Sequence, residues 1–268
     1  MDTFKFENKW KDINENKSND EFSLFVAPGG APLTQRQINL YWYHRLFQNI
    51  IKEKKIKTGL ELGSGRGTMS LYLNKYNGIE TTLLDISPEA AELAKKNFEG
   101  HNAQGRFEVG SCEAIPFPNE SFDIVYSIGL LEHLDNYKKT IEESFRVLRP
   151  GGVMIALNIP GKWSVQNINN WYKKILEFFT GKKYPAKDYY RNNDKPADYR
   201  KVAEEAGFKN LSVINVNPFP IFVPVRGETD KKIAKIYNLI IKARLLFMPY
   251  PFKTNYIFSQ GHFLIGYK

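Results

Sequence analysis

Residues 61–67 are Glu-Leu-Gly-Ser-Gly-Arg-Gly, and they lie between an apolar run at 58–62 and large side chains at helical spacing in 68–76. The run predicts a buried strand and the spacing predicts a helix, so the glycines form the turn between them. Backbone amides at the start of that helix face whatever lies above the strand. Because glycines lack Cβ atoms, a ligand can approach the main chain closely. The stretch therefore predicts a ligand-binding turn.

The spacing of the turn narrows the class of ligand. It is Gly-x-Gly-x-Gly, which differs from the Gly-x-Gly-x-x-Gly of dinucleotide sites, and no Gly-Lys-Ser/Thr ending marks a phosphate-binding loop. Glu61 precedes the first glycine, where a carboxylate would repel a pyrophosphate and attract an amine. Asp85 follows a second apolar run at 79–84, where a carboxylate can accept both hydroxyls of a ribose. The pattern predicts a cofactor with a ribose and an amine but no pyrophosphate.

Strand and helix patterns alternate along most of the chain. The run Ile124-Val125-Tyr126 is typical of a strand covered on both faces. This alternation predicts an α/β fold with a doubly wound parallel sheet, whose ligands bind at the carboxyl ends of the strands. Strands are predicted at 58–62, 79–84, 107–110, 122–128, 153–158 and 208–216, and helices at 35–54, 68–76, 88–99, 137–148 and 198–206.

Five further segments follow the glycine turn, and the ordered series resembles the motifs of class I S-adenosylmethionine-dependent methyltransferases. The resemblance runs from roughly 58 to 159, and its order is more specific than any single motif. It includes a Glu-His-Leu loop after the fourth strand, as in small-molecule enzymes of that family. The segments are Leu-Asp-Ile-Ser at 84–87, Gly-Ser-Cys-Glu-Ala-Ile-Pro-Phe at 110–117, Ser-Phe-Asp-Ile-Val-Tyr-Ser at 121–127, Leu-Glu-His-Leu at 131–134 and Leu-Arg-Pro-Gly-Gly at 148–152.

The resemblance implies a Rossmann-like sheet of seven strands in the order 3-2-1-4-5-7-6, with an antiparallel last strand at 261–267. It implies a methyltransferase domain at 34–268, preceded by a loosely ordered arm and a loop at 1–33. Two insertions, at about 160–196 and 217–259, are expected to form a helical lid over the acceptor. The second insertion contains an amphipathic helix pattern with one predicted apolar face: Ile233, Ile236, Tyr237, Ile240 and Ile241.

The resemblance also implies that S-adenosylmethionine is the cofactor. The glycine turn would hold its methionine portion, Asp85 the ribose, and 111–113 the adenine. The family usually has Asp where this chain has Ser111, so a backbone carbonyl or Glu113 could hold the adenine amino group instead. The predicted cofactor-binding residues are Glu61, Gly63, Ser64, Gly65, Gly67, Asp85, Ile86, Ser111, Cys112, Glu113 and Ile128.

A sulfonium methyl group is already electrophilic, so the enzyme must align an acceptor oxygen, nitrogen or carbon in line with it and remove a proton where needed. His133 is the candidate general base, because it follows the fourth strand and histidine ordinarily titrates near neutral pH. A purely structural role of the Glu132-His133 pair is equally open. Some quinone O-methyltransferases resembling this region bind a metal through two acids and the histidine. The first acid is replaced by Gly129 here, so no metal is predicted.

Bulk properties exclude several classes of protein. The 268 residues suit one α/β domain with additions, and the single cysteine, Cys112, excludes an internal disulfide. The net charge of +9 comes from scattered lysines, which favours a solvated surface over a nucleic-acid footprint. No apolar run approaches the roughly 20 residues of a membrane span, and the first residues lack a signal-peptide core. A cytoplasmic location is expected.

The acceptor is predicted to be a small molecule, because the insertions are aromatic and would enclose a pocket. An apolar or lipid-like acceptor and a polar one both stay open, as does a peripheral membrane contact. The candidate acceptor-site residues are Tyr41, Tyr43, His133 and Trp163, and packing of the tyrosines against the sheet is an equal alternative. Other functions are RNA or protein methylation, or a non-catalytic module that binds S-adenosylmethionine. The sequence does not predict an oligomeric state.

Overall fold

The structure is a computed structural model, and its strands form one sheet. The structure describes residues 10, 11, 13, 15, 23–159, 161, 174–181, 190–218, 222–223 and 225–268. The strands within these residues are β1 (Thr58–Leu62), β2 (Glu80–Asp85), β3 (Arg106–Val109), β4 (Phe122–Ile128), β5 (Leu148–Asn158), β6 (Lys209–Val216) and β7 (Gly261–Tyr267).

Helices cover both faces of the sheet. They are α1 (Gln35–Ile51), α2 (Thr68–Asn77), α3 (Pro88–Gly100), α4 (Tyr137–Val147), α5 (Pro196–Glu205) and α6 (Gly227–Leu245), with a 3₁₀ turn at Leu131–His133. None of the described helices combines the length and the apolar character needed to span a membrane.

The strand order is β3-β2-β1-β4-β5-β7-β6, which confirms the predicted order. β1 to β5 run parallel, and β7 pairs antiparallel with both β5 and β6. The carboxyl ends of β1 to β5 therefore lie on one side of the sheet, called the carboxyl edge below. β7 begins at this edge, since His262 pairs with Asn158, the last residue of β5.

Two apolar cores lie on opposite faces of the sheet. One joins α1, α2 and α3 to the sheet through residues such as Phe47, Leu71 and Phe98, and the other joins α4 and α5 through Ile141 and Tyr199. The predicted central strand is confirmed: Ile124, Val125 and Tyr126 of β4 are each at most 1% exposed and contribute alternately to the two cores.

Local sequence explains where two helices begin. The Thr34 hydroxyl accepts a hydrogen bond from the Gln37 amide at 3.2 Å and so caps the start of α1. Ser87 caps α3 through the Ala90 amide at 3.2 Å, with Pro88 in the first turn.

Two predicted boundaries are wrong. β5 begins at Leu148 rather than at 153, because Leu148 already pairs with Phe122 and a register shift before Ile124 accommodates the Pro-Gly-Gly segment. α5 begins at Pro196 rather than at 198, because Asp198 sits inside the first turn and its carboxylate accepts the Lys195 amide at 2.7 Å. Other boundaries move by at most about three residues.

The two regions outside the motif series differ in part from their predictions. In the arm, Trp10, Lys11, Ile13 and Glu15 are helical and Ile13 is buried, where a loosely ordered chain is predicted. In the second insertion the amphipathic helix is present as α6. Its Ile241 is buried, but Ile236 is 56% exposed rather than part of the buried face. Most of the first insertion lies outside the described residues.

Candidate active site

The predicted cofactor residues and the candidate base lie at the carboxyl edge on neighbouring loops. β1 lies between β2 and β4 in the sheet, so the turn at 63–67 has the loop after Asp85 on one side and the turn Leu131–His133 on the other. Segments that are far apart in the sequence are thus brought together because parallel strands end on the same side.

The three glycines of the turn are required by the backbone and by packing. Gly63, Gly65 and Gly67 have φ angles of 62°, 54° and 67°, a conformation that side chains with a Cβ rarely adopt. A Cβ on Gly63 would lie 2.7 Å from the Leu130 side chain, and one on Gly67 would lie 2.5 Å from Leu83. The turn therefore fits tightly between β2 and the loop after β4.

Trp10 of the N-terminal arm lies against the same turn. A Cβ on Gly65 would be 2.7 Å from the Trp10 ring, and the Arg66 guanidinium lies 5.7 Å from a Trp10 ring centroid. The sequence prediction missed this contact. Its one signal is an isolated tryptophan in a polar arm, which does not indicate a partner.

Glu61 is buried beneath the glycine turn. Its Oε2 accepts hydrogen bonds from the amide of Ser70 at 3.0 Å and from the Ser70 hydroxyl at 2.5 Å. The Ser70 hydroxyl also lies 2.7 Å from the Tyr126 hydroxyl. Burial raises the pKa of Glu61 to about 7. This carboxyl group anchors the first turns of α2, so its predicted contact with a ligand amine stays a prediction.

Asp85 connects the glycine turn to the next loop. Its Oδ2 accepts the Gly65 amide at 2.8 Å and its Oδ1 accepts the Ser87 amide at 3.0 Å. Each carboxylate oxygen has two lone pairs, so the group can still accept hydroxyls from a ligand. Asp85 therefore fixes the turn and presents an anionic acceptor at the carboxyl edge.

The predicted adenine loop is held by its own side chains. The Ser111 hydroxyl accepts the Glu113 amide at 3.1 Å, and Cys112 Sγ accepts the Thr140 hydroxyl at 3.5 Å. Burial raises the pKa of the Cys112 thiol, which makes it a packing group rather than a nucleophile. The role of Ser111 toward the adenine stays a prediction.

The His133 ring is in contact with the backbone of a distant segment. Its Nδ1 lies 2.6 Å from the carbonyl oxygen of Tyr190. A carbonyl only accepts, so Nδ1 carries the hydrogen and the neutral ring has its basic lone pair on Nε2. Nε2 lies 4.0 Å from Glu132 Oε1. The ring is thus held in the tautomer that a general base at Nε2 requires.

Glu132 is a buried acid directly beside this ring. It is 1% exposed, and its Oε2 has no hydrogen-bond partner among the described residues. Burial raises its pKa to about 7. In the sequence, Glu132 and His133 are recognised only as a pair. The structure shows that the Glu132 carboxyl is buried, that its pKa is raised, and that it lies close to the basic nitrogen of His133.

Comparison with known proteins identifies the family. Residues 60–156 match the family model described as a methyltransferase domain. A ubiquinone/menaquinone biosynthesis C-methyltransferase of Rickettsia massiliae is 32% identical over 181 residues, which cover 57% of this chain and 71% of that protein. The chain belongs to the S-adenosylmethionine-dependent methyltransferases. A demethylmenaquinone methyltransferase of Leptospira interrogans is 34% identical over 162 residues. The matched region covers 56% of the present chain and 63% of the length of the Leptospira protein.

Solved structures share the fold of this methyltransferase. An S-adenosylmethionine-dependent methyltransferase of Thermotoga maritima superposes with a TM-score of 0.54 at 18% identity, covering 87% of this chain and 97% of that one. A phosphoethanolamine N-methyltransferase of Haemonchus contortus, in complex with S-adenosylhomocysteine, gives 0.54 at 16% identity, covering 86% and 57%.

S-adenosylmethionine is the cofactor of these methyltransferases, and three features of the carboxyl edge fit it. Asp85 offers a carboxylate for the ribose hydroxyls. The apolar side chain of Ile86, beside it, is 43% exposed and can cover an adenine face. The buried Ser64 hydroxyl has no partner among the described residues, and it can bond the methionine portion. Ile128 ends β4 beside the turn. The individual cofactor contacts stay predictions.

The four candidate acceptor residues have different places in the structure. Tyr43 is 4% exposed and packs on Phe263 of the sheet at 5.2 Å between ring centroids, which is the packing alternative left open by the sequence. Tyr41 packs edge-on against Trp42 at 5.7 Å. Trp163 lies outside the described residues, and His133 lies in the turn after β4 at the edge. No three His, Cys, Asp or Glu side chains within the described ranges are arranged to hold a metal ion.

Asn192 clamps the turn that carries His133. Its amide donates to the Glu132 carbonyl at 2.8 Å, and its carbonyl accepts the Gly161 amide at 2.8 Å. Its side-chain oxygen accepts the Tyr199 hydroxyl of α5 at 2.7 Å. This clamp fixes the segment that supplies the Tyr190 carbonyl, and no motif in the sequence marks it.

Four polar side chains near the β5 and β7 end of the carboxyl edge are incompletely bonded. Asn158 ends β5, Gln260 precedes β7, Asn39 of α1 donates to Gln260 at 3.4 Å, and the Tyr250 ring lies 4.8 Å from that of Trp42. The atoms without a hydrogen-bond partner among the described residues are Asn39 Oδ1, Asn158 Oδ1, Tyr250 Oη and Gln260 Nε2. Buried polar atoms usually have partners, so this polar cluster is a candidate acceptor contact.

Proposed function

We propose that this chain transfers the methyl group of S-adenosylmethionine to a small-molecule acceptor, with His133 as the general base. The observation that carries the proposal is the contact of 2.6 Å between His133 Nδ1 and the Tyr190 carbonyl. It fixes the proton on Nδ1 and leaves Nε2 basic, at the same edge as the predicted cofactor loops. The Glu-His-Leu loop would then act in the chemistry rather than only in packing.

Four residues would share the work of the proposed reaction. The bound cofactor supplies an electrophilic methyl group, so the protein needs to orient the acceptor and remove a proton. His133 Nε2 takes that proton, and Glu132, whose Oε1 lies 4.0 Å from it, favours the resulting cationic ring when its carboxyl group is ionised. Asn192 keeps the turn in place through the Glu132 carbonyl, and Asp85 keeps the glycine turn in place through the Gly65 amide.

The acceptor that fits best is a ring compound with hydroxyl or carbonyl groups. The names of the Leptospira and Rickettsia relatives refer to quinone biosynthesis, which supports a ring acceptor. The polar cluster supports hydrogen-bonding substituents, because Gln260 Nε2 needs an acceptor and Asn158 Oδ1 needs a donor. We also propose that the two insertions cover this acceptor, supported by α6, whose Asn238 donates to the Pro32 carbonyl at 2.8 Å beside the start of α1.

The proposal is tested by supplying S-adenosylmethionine with a labelled methyl group to the full chain. Separate reactions contain hydroxylated ring compounds, small amines, RNA and a protein mixture. Label is expected in the ring compounds, with little dependence on salt. Label found only in RNA, and lost as salt rises, would contradict a small-molecule acceptor and favour the nucleic-acid alternative.

A further inference from the structure

One face of α6 and the turn after it form an exposed apolar surface. Leu246 and Phe247, directly after α6, are 82% and 85% exposed, and Ile236 and Leu239 on the helix are 56% and 61% exposed. These four side chains recur at helical spacing along one side. They are called the α6 patch below.

The α6 patch is not needed to hold the helix on the domain. The opposite face of α6 is buried through Ala234 and Ile241, which pack with Ile38 of α1 and with Phe252. α6 therefore has two apolar faces, and the structure covers only one. A cluster of large exposed apolar side chains indicates an interaction surface.

Beyond the first turn of α6, which carries Glu228 and Asp230, the charged side chains of this part of the chain are all basic. No Asp or Glu occurs from 231 to 268, and none occurs in α1. The basic side chains interleaved with the patch on α6 are Lys232, Lys235 and Lys242, and all three are exposed. Lysine stems can lie along an apolar surface while their ammonium groups reach anionic groups above it. The complementary partner is both apolar and anionic.

We propose that the α6 patch docks on the surface of an anionic lipid bilayer. Phe247 and Leu246 would enter the boundary between head groups and acyl chains, while Lys235 and Lys242 contact the lipid phosphates. A nucleic acid offers the phosphates but no apolar layer for the large side chains of the patch. A protein partner would need an acidic rim around an apolar groove, and the test below includes that outcome.

The position of the α6 patch relative to the carboxyl edge suggests what docking would achieve. The stretch between α6 and β7 reaches the carboxyl edge, where Lys253 bridges to Val216 at the end of β6. In that stretch Ile257 and Phe258 are 56% and 62% exposed. The apolar surface thus extends from α6 toward the acceptor side, so docking would bring that side close to molecules dissolved in the membrane.

Vesicle co-sedimentation of the full chain tests this inference without cofactor or acceptor. Vesicles of phosphatidylcholine mixed with phosphatidylglycerol are expected to bind the protein, and pure phosphatidylcholine vesicles to bind it at least tenfold less, because each lysine near an anionic surface changes binding about fivefold. The pair L246S and F247S should reduce binding about tenfold or more, and so should the pair K235E and K242E. Raising the salt should weaken binding.

Two matched controls separate the patch from general effects. K95E changes one exposed lysine on α3, and V109S changes a valine on β3 that is 54% exposed. Both should bind mixed vesicles as the unchanged protein does. The inference is overturned if mixed vesicles do not bind, or if patch and control variants behave alike. It is also overturned if light scattering shows a dimer that L246S and F247S convert to a monomer, because the patch would then be covered by a second copy.

Discussion

The two ends of the carboxyl edge differ in how their polar groups are used. At the β1 and β2 end, Asp85 and Glu61 accept backbone hydrogen bonds that fix the glycine turn and α2. At the β5 and β7 end, Asn158 is buried and Gln260 is half-buried, and Asn158 Oδ1 and Gln260 Nε2 have no hydrogen-bond partner within the described residues. The main chain of the first end is therefore fixed by the protein's own hydrogen bonds, with the Ser64 hydroxyl unpaired among the described residues. We expect the second end to gain hydrogen bonds when a ligand binds.

This difference bears on the division of labour in the proposed enzyme. A site whose main chain is already fixed loses little conformational freedom on binding, which suits a cofactor common to the family. Unpaired buried amides lower stability until a matching group arrives, which suits recognition of one particular acceptor. The turn with His133 lies between the two ends and would act on both ligands.

Asp85→Ala is the substitution expected to weaken cofactor binding most. This variant loses the carboxylate predicted to hold the ribose and also frees the Gly65 amide. Two hydrogen bonds to a charged group amount to about 4 kcal/mol, so affinity for S-adenosylmethionine should fall roughly 1000-fold. Calorimetric titration measures this, with Glu92→Ala on the exposed side of α3 as the control. Unchanged affinity in Asp85→Ala would place the ribose elsewhere.

Glu132→Gln tests whether burial of the Glu132 carboxyl group lowers the stability of the folded protein. The folded pKa of Glu132 is raised from 4.5 to about 7, so the native state holds the proton more tightly than the unfolded chain. Its contribution to stability is therefore present below pH 4.5 and is lost as pH rises to about 7. Relative to the unchanged protein, Glu132→Gln should gain up to about 3 kcal/mol over this range in urea unfolding.

The control for this measurement is Glu142→Gln, which changes an exposed acid on α4. Its unfolding free energy should run parallel to that of the unchanged protein at every pH. A parallel course for Glu132→Gln as well would show that the Glu132 carboxyl is not perturbed by burial.

His133→Ala separates catalysis from binding. Loss of a general base typically lowers the rate about 100-fold, whereas the affinity for S-adenosylmethionine should stay the same. The measurement is kcat in the labelled-methyl assay beside a calorimetric titration, with His101→Ala at the end of α3 as control. An unchanged kcat would support the structural role of the Glu-His-Leu loop.

Asn158→Leu gives the smallest expected effect and sharpens the contrast between the two ends. Asn158 is fully buried, its Oδ1 has no partner within the described residues, and its Nδ2 lies 3.4 Å from His262 Nε2. A leucine of similar size loses this long contact but removes the unpaired oxygen, so it should raise the free energy of unfolding by about 1 kcal/mol. Methyl transfer should fall at the same time. Asn74→Leu is the control, because the half-buried Asn74 Nδ2 donates to the carbonyls of Ile79 at 3.1 Å and Gln104 at 3.2 Å, and their loss should destabilise. Destabilisation by Asn158→Leu would instead make the polar cluster structural.

The same contrast explains how much could be predicted from the sequence. At the cofactor end, the parallel sheet and the loops with the glycine turn and Asp85 follow from local patterns, namely alternating apolar runs, glycine spacing and one acid at a strand end, whereas the strand order follows from the family resemblance. The strand order is confirmed, whereas the contacts of those residues with the cofactor are not tested by the structure.

The acceptor end depends on contacts between distant segments, which local patterns do not encode. Asn192 has no distinctive pattern in the sequence, and its role follows from its hydrogen bond to the Glu132 carbonyl in the folded chain. Asn39 and Gln260 likewise are far apart in the chain and are joined only by the fold. Tyr43 shows the opposite case, since its helical spacing suits both a pocket and a core, and packing on Phe263 decides between them. The N-terminal Trp10 likewise acquires its place at Gly65 only through tertiary contact.

The central claim is that the organised end of the carboxyl edge binds S-adenosylmethionine. Calorimetric titration of the full chain with S-adenosylmethionine and S-adenosylhomocysteine, beside NAD, tests it most directly. The account predicts micromolar binding of the first two and none of NAD, because the turn lacks the dinucleotide spacing and places Glu61 near its first glycine. Binding of NAD, or of none of the three, would contradict it.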